Sequence, residues 1–181
     1  MAEVYAFLAD GFELVECLAV VDVLRRGRVD IQTVSITGNR VVTCSHGVPV
    51  TADKLWEEID ASDAKMLFLP GGKKGTDNLA ASSAVKSMVK SYNEAGRLVC
   101  AICAAPSVLG AAGVLDGHEA TCFPGFEDRL GKAVHKNLAA ITSGNVITGR
   151  SMGTAIDFGL AIAEKLVGKE TAVKTEENLH R

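Results

Sequence analysis

The sequence predicts an α/β fold in which a mostly parallel sheet is covered by helices on both faces. Short apolar runs typical of buried strands alternate with helical stretches along the chain. Glycine or proline follows most of these segments and marks their ends. The chain has 181 residues, of which 48% are hydrophobic and 23% charged, and it shows no repeat or linker. We therefore expect one domain over residues 1–181.

The first half of the chain combines several strands with one long helix. Gly27 stops the helix, His46-Gly47 forms the turn of a hairpin, and Pro70-Gly71-Gly72 ends an apolar strand abruptly. The predicted elements are strands at Glu3–Leu8, Val29–Ile36, Arg40–Ser45, Val48–Thr51 and Lys65–Leu69, a helix at Leu14–Arg26, and a short helix or loop around Trp56 and Ile59.

The second half repeats the alternation. Gly168 closes the last long helix, and we expect the polar tail from Lys169 to fray. The predicted elements are helices at Ser83–Ala95, from Pro106, at Phe126–Leu130 and at Gly153–Val167, with strands at Arg97–Ala101, Glu119–Cys122, Ala139–Thr142 and Val146–Thr148.

Composition and charge argue against several classes of function. The net charge is −3 with both signs interspersed, so no surface for nucleic acids or membranes is indicated. The start lacks the basic flank of a signal peptide, and no apolar run is long enough to span a bilayer. The five cysteines form an odd set without framework spacing. We therefore expect reduced thiols and a cytoplasmic protein.

Cys103 carries the strongest local signal for chemistry. It follows a buried strand and precedes a helix with no connecting loop, and its neighbours two positions away are Ala101 and Ala105. Such a sharp turn strains the residue and needs small flanking side chains. Unpaired N–H groups at the start of the helix would favour the thiolate, the reactive form. The alternative is that Cys103 is a buried small hydrophobic residue.

Two other uses of the thiol have less support. Cys100 and Cys103 form a Cys-x-x-Cys pair, but three residues of strand span roughly 10 Å, whereas bridged cysteines need Cα atoms within about 7 Å. The four histidines lack zinc-ligand spacing and no second cysteine pair is present, so we predict no metal site.

Glu16 is the second candidate. It lies in a helix that is apolar almost all round, with Phe12, Ala19 and Val20 one turn away. Burial there would raise its pKa and suit an acid/base role. The alternative is a glutamate in the first turn that faces solvent and complements the helix dipole.

Two turns that follow strands are further candidates. Gly71 and Gly72 end a buried strand, where their backbone N–H groups can approach a substrate oxygen, although a turn that needs positive φ explains them equally well. Arg150 also follows a strand and could bind an anion or pair at the surface.

Together these segments resemble the ThiJ/PfpI superfamily, and most closely its Parkinson's-disease-protein branch of protein deglycases. The resemblance extends over nearly the whole chain. It is carried by Asp10-Gly11-Phe12-Glu13-Leu14-Val15-Glu16, Leu69-Pro70-Gly71-Gly72, Ala101-Ile102-Cys103-Ala104-Ala105-Pro106, Thr148-Gly149-Arg150-Ser151 and the last long helix.

The resemblance implies a flavodoxin-like three-layer sandwich and a homodimer built partly through the first helix. It implies that Cys103 is the nucleophile, that Glu16 is the carboxyl hydrogen-bonded to it, and that Gly72 donates a hydrogen bond to the oxyanion. It also implies a cofactor-independent glyoxalase and deglycase acting on methylglyoxal and early glycation adducts of proteins, with nucleic acid only as a possible glycated substrate. The remaining expected substrate contacts are Gly71, Ala104, Arg150 and His46.

Residues that differ from those of relatives limit which activity of the family is expected. The protease branch has a histidine directly after the cysteine, where this chain has Ala104. Phe123 stands where the human member of the branch has a histidine, and His46 stands in place of an arginine. Without an imidazole to protonate a leaving amine, protease activity is not expected. The alternative function is a non-catalytic redox sensor or chaperone that uses an oxidisable Cys103.

Overall fold

A computed structural model of the chain describes residues 3–60, 62 and 64–180. Its strands are β1 (Val4–Leu8), β2 (Ile31–Ser35), β3 (Val41–Thr43), β4 (Pro49–Thr51), β5 (Lys54–Leu55), β6 (Met66–Leu69), β7 (Leu98–Ile102), β8 (Glu119–Ala120), β9 (Val134–His135), β10 (Ala140–Ser143) and β11 (Val146–Gly149). Its helices are α1 (Leu14–Arg26), α2 (Lys73–Ala81), α3 (Ser83–Glu94), α4 (Pro106–Ala111), α5 (Ala155–Val167) and α6 (Lys169–Asn178). Short 3-10 turns lie at Trp56–Glu58, Glu127–Arg129 and Met152–Thr154.

The main sheet has seven strands in the order β10-β11-β7-β6-β1-β2-β5. All neighbouring pairs are parallel except β10 and β11, which form an antiparallel hairpin. The strands β3 and β4 form a separate antiparallel hairpin. The mostly parallel α/β sheet predicted from the sequence is therefore confirmed.

Alternate side chains of each central strand enter two different cores. In β1, Val4, Ala6 and Leu8 face the core shared with α1 and α5, whereas Tyr5 and Phe7 face the other core. The helices α1, α5 and α6 pack together, and α2 packs with α3 and α4. Burial on both faces explains why the central strands are continuously apolar.

The structure adds two helices that the sequence analysis missed. The Lys73–Ala81 segment is polar and contains Gly75, yet α2 forms there, and a Cβ at Gly75 would lie 2.6 Å from the Cα of Phe12. The expected fraying from Lys169 is wrong, because that segment forms α6 and buries Ala172 and Thr175. Tertiary packing rather than local pattern decides both helices.

None of the described helices is long and apolar enough to cross a membrane.

Gly149 ends β11 at a point of close packing. A Cβ at this position would lie 2.7 Å from the ring of Phe158 in α5 and 2.8 Å from Cγ1 of Ile102. Both neighbours are fully buried, so neither can move into open space. The close approach of strand and helix therefore depends on glycine here.

Gly149→Ala should lower the free energy of unfolding by about 1–3 kcal/mol, because the added methyl group overpacks this contact. Gly153→Ala is the control, since a Cβ there meets no atom within 4 Å. Urea unfolding followed by far-UV circular dichroism measures both. Equal stability of the two variants would contradict the expectation.

Candidate active site

Four loops meet at the carboxyl ends of adjacent strands of the sheet. They follow β1, β6, β7 and β11, which are neighbours in the sheet although distant in sequence. The chain leaves β1 in one direction to β2 and later returns on the other side to β6, which creates a crevice between the first two loops. Ligands of open α/β sheets bind at such a switch point.

Cys103 occupies the turn after β7 with a left-handed backbone conformation. Its φ is +65°, which only a few non-glycine residues adopt. Its N–H donates to the Gly149 carbonyl (3.0 Å), and its carbonyl accepts from the Phe123 N–H (2.8 Å). Two hydrogen bonds from outside the turn thus hold a strained residue in place, as expected for a nucleophile elbow.

Glu16 lies in the first turn of α1 and is 1% exposed. A Cβ on Gly71 would collide with Oε2 of Glu16 and would approach the Cβ of Cys103 to 2.6 Å. The carboxyl and the cysteine therefore pack against the same glycine. Gly71 has a structural role here, because any side chain would separate the pair.

Burial raises the pKa of Glu16 to about 7, and the neighbouring Glu13 carboxylate adds to this effect. Interactions with the Cys103 thiol and with the backbone of Gly71 and Met152 act in the opposite direction. Oε2 nevertheless makes no hydrogen bond of good geometry with any residue in the described part of the chain. A buried carboxylate oxygen without a donor is costly, so the neutral acid is favoured.

The sulfur itself is not an isolated thiolate. Burial, followed by the charge of the Glu16 carboxylate, raises the pKa of Cys103 to about 12. The backbone at the turn acts in the predicted direction, because the hydrogen bond from Ala104 lowers this pKa, but burial and the Glu16 charge have the larger effect.

Cys103 and Glu16 are best described as one ionising unit. Two interacting groups lose their protons in two steps that belong to the pair. The first proton leaves near pH 7 and the second only in alkali. At neutral pH the remaining proton is shared between sulfur and carboxyl, and the form with the proton on Glu16 is the nucleophile.

Backbone N–H groups surround the sulfur on another side. The backbone groups of Gly72 and Ala104 both lower the pKa of the Cys103 thiol through hydrogen bonding. Gly72 has a φ of +85°, and a Cβ there would lie 2.5 Å from the Gly11 carbonyl oxygen. Only glycine fits this position, and its backbone N–H lies within hydrogen-bond reach of the Cys103 sulfur.

A cavity of about 500 Å³ opens above the pair. Its lining residues include the predicted Cys103, Glu16, Gly72, Ala104 and His46. The remaining lining residues were not predicted to belong to the site, and Phe123 was noted only because a relative has a histidine there. They are Glu13, Lys73, Phe123, Phe126, Ser151, Met152 and Gly153. Lys73 and Ser151 could have been predicted from the sequence, because each closely follows a strand, β6 or β11, whose carboxyl end lies at the site.

His46 stands at the rim rather than beside the sulfur. Its side chain is 78% exposed, and Nδ1 lies 2.9 Å from the Ser45 hydroxyl. That hydroxyl donates to Glu13 Oε2 over 2.8 Å. The His46 imidazole therefore contacts Ser45 rather than the sulfur. The ionisable group that acts on the Cys103 thiol is Glu16.

Two predicted substrate contacts do not line the cavity: Gly71, which packs against Glu16 and Cys103, and Arg150. Arg150 is half-buried and is absent from the lining, although Ser151 and Met152 directly after it are present. Its backbone N–H donates to the Ala139 carbonyl over 3.0 Å. The segment therefore contributes its next two residues to the site.

The other cysteines differ sharply from Cys103. All five are free, and Cys103 alone is partly exposed, the other four being buried. Sγ of Cys100 lies 3.1 Å from the Met66 sulfur inside the core. The structure thus agrees with the interpretation that Cys100 and Cys103 are not a redox pair.

The rate of Cys103 alkylation by iodoacetamide should rise through about pH 7, where the pair loses its first proton. In Glu16→Gln the rise should move to higher pH, because the variant has no carboxyl to release that proton while burial still raises the pKa of the thiol. Asp22→Asn, a change on the exposed side of α1, is the control. A shared midpoint for wild type and Glu16→Gln would refute the coupled pair.

Comparisons with known proteins agree with this geometry. The model of the DJ-1/PfpI family matches residues 2–165. Protein DJ-1 homolog B of Arabidopsis thaliana is 36% identical over 169 residues, which are 92% of this chain but only 39% of that relative. The glutathione-independent glyoxalase DJR-1.2 of Caenorhabditis elegans is 30% identical over 160 residues, covering 87% of this chain and 84% of that protein.

The solved structure of oxidized DJ-1 from Toxoplasma gondii has the same fold. Its TM-score is 0.94 at 30% identity, with coverage of 99% of this chain and 98% of the other. The family match over most of the sequence agrees with this similarity, and the chain belongs to the DJ-1/PfpI family.

Proposed function

We propose that the protein is a cysteine-dependent, cofactor-independent glyoxalase and deglycase that acts on small α-oxoaldehydes and their early adducts with proteins. The observation that carries the proposal is the packing of Cys103 and the buried Glu16 against Gly71 beneath an open cavity. A nucleophile that shares one proton with a carboxyl has both groups that the reaction needs.

In the first step the Cys103 sulfur attacks the aldehyde carbon. A C–S bond forms, and the π electrons of the carbonyl move to oxygen. The N–H groups of Gly72 and Ala104 stabilise the alkoxide. The alkoxide then takes the proton from Glu16, which gives a hemithioacetal and leaves Glu16 as the carboxylate.

In the second step Glu16 moves a proton between adjacent carbons. Its carboxylate removes the C–H proton of the hemithioacetal carbon, and the electron pair moves through the new C=C bond to the ketone oxygen, which takes up a proton to give an enediol. Glu16 then returns its proton to the former ketone carbon while the hydroxyl on the sulfur-bearing carbon loses its proton, which gives a thioester. One carbon is oxidised and its neighbour is reduced, so no external oxidant is required. Water then cleaves the C–S bond of the thioester, which releases a 2-hydroxy acid and the free thiol.

The relatives support this class of chemistry over proteolysis. A family member of Caenorhabditis elegans is named as a glutathione-independent glyoxalase. The ionisable group coupled to Cys103 is Glu16, whereas peptide cleavage requires a positioned acid for the leaving amine. A free α-oxoaldehyde has no leaving amine, so the pair suffices for the glyoxalase reaction.

Cys103→Ser and Glu16→Gln should each lower methylglyoxal turnover by about 10²-fold or more, because they remove the nucleophile and the acid/base. Loss of methylglyoxal and formation of lactate are followed together. Cys44→Ser is the matched thiol control, since its sulfur only accepts hydrogen bonds from the His46 and Val48 backbone. Unchanged turnover in both site variants would end the proposal.

The partial exposure of Cys103 favours a second candidate function, redox sensing. Mild peroxide should add two oxygen atoms to Cys103 and leave the buried Cys17, Cys44, Cys100 and Cys122 unmodified. Peptide mass spectrometry locates the oxidation. Selective oxidation with negligible aldehyde turnover would favour sensing over catalysis, and equal oxidation of all five thiols would argue against both.

The same proposal includes a homodimer assembled through α1. Val15 and Leu18 are 46% and 37% exposed on a helix whose other apolar residues are largely buried. Leu18→Lys should convert a dimer to a monomer, which light scattering after gel filtration measures. Val173→Lys on α6 is the control. A wild-type monomer would contradict this part of the proposal.

A further inference from the structure

We infer that the cavity above Cys103 contains an apolar subsite that selects α-oxoaldehydes with an aryl-sized, uncharged substituent over methylglyoxal. The inference rests on the proposed function, whose substrate class it narrows. Three large apolar side chains, Phe123, Phe126 and Met152, line the cavity that holds the nucleophile.

Phe123 is placed by the catalytic turn itself. Its backbone N–H donates to the carbonyl of Cys103, so the aromatic residue is positioned relative to the sulfur by a 2.8 Å hydrogen bond. Its side chain is 43% exposed, which is costly for a phenylalanine that has no ligand to cover it. A substrate bonded to Cys103 could bury this surface.

Phe126 extends the same wall. The rings of Phe123 and Phe126 stand edge to face with centroids 6.4 Å apart. The Arg129 guanidinium lies 4.8 Å from the centroid of the Phe126 ring and supports it. The two rings provide the geometry in which a further aromatic ring packs favourably.

Met152 gives the cavity an adaptable apolar surface. It follows β11, is 51% exposed, and its backbone interacts with Glu16. Methionine adapts to ligands of different shape and makes favourable contacts with aromatic rings. The apolar surface therefore reaches the acid of the catalytic pair.

Two charged residues of the lining, Lys73 and Glu13, have partners within this chain. Lys73 Nζ lies 3.1 Å from Asp77 Oδ2, and Glu13 accepts a hydrogen bond from Ser45. A negatively charged substituent would meet the Glu13 carboxylate, whereas an apolar one leaves these pairs intact. The cavity of about 500 Å³ is also much larger than methylglyoxal, whose substituent is a single methyl group.

The test compares kcat/KM for phenylglyoxal and methylglyoxal. Wild type should prefer phenylglyoxal by about tenfold or more, and Phe123→Ala should lower that ratio by about tenfold. Val173→Ala, which removes a similarly exposed apolar side chain from α6, should leave the ratio unchanged. A second measurement needs no turnover: acetophenone should protect Cys103 from iodoacetamide better than acetone does, in wild type but not in Phe123→Ala.

The outcomes separate the subsite from the proposed function. Protection by acetophenone that depends on Phe123, without turnover of either aldehyde, would support the subsite and defeat the glyoxalase proposal. Turnover of both aldehydes with a ratio that Phe123→Ala does not change, together with equal protection by the two ketones, would overturn the subsite and leave the glyoxalase proposal standing.

Discussion

The site depends on the contact between a fully buried carboxyl and a thiol held at a strained turn. Burial disfavours a negative charge on either Glu16 or Cys103, and each charge further disfavours the other. The pair can therefore carry one charge near neutrality but not two. This constraint couples the ionisation of Glu16 to that of Cys103.

Glycine makes that contact possible. Gly71 allows Glu16 and Cys103 to pack on the same backbone atom, and Gly72 allows the loop after β6 to approach the loop after β1. Gly149 allows β11 to pack against α5 beneath the Cys103 turn, and its carbonyl accepts the Cys103 N–H. Three glycines, two in the loop after β6 and one at the end of β11, thus stand where side chains would separate the elements.

The cavity adds a second level of selectivity to this chemistry. In the proposed function the Cys103–Glu16 pair and the backbone donors act on any α-oxoaldehyde, whereas the proposed role of the aromatic wall that begins at Phe123 is to discriminate among substituents. The hydrogen bond from the Phe123 N–H to the Cys103 carbonyl holds the start of this wall beside the Cys103 turn.

The sequence by itself determined the features that depend on local pattern. The bounds of α1 are those predicted, the hairpin around His46-Gly47 is present, and the turn at Cys103 has the predicted strain, with a left-handed backbone conformation. Helical periodicity, turn glycines and a strand that runs directly into a helix are properties of neighbouring residues.

Only the tertiary structure decided which distant groups meet. The polar α2 and α6 form because packing stabilises them, the aromatic wall lines the cavity, and Arg150 is absent from the lining. The ionisation of Cys103 depends on the tertiary structure for the same reason, since the pKa is set by burial and by a carboxyl far away in the sequence. Strand order and side-chain packing set those distances, and no local pattern encodes them.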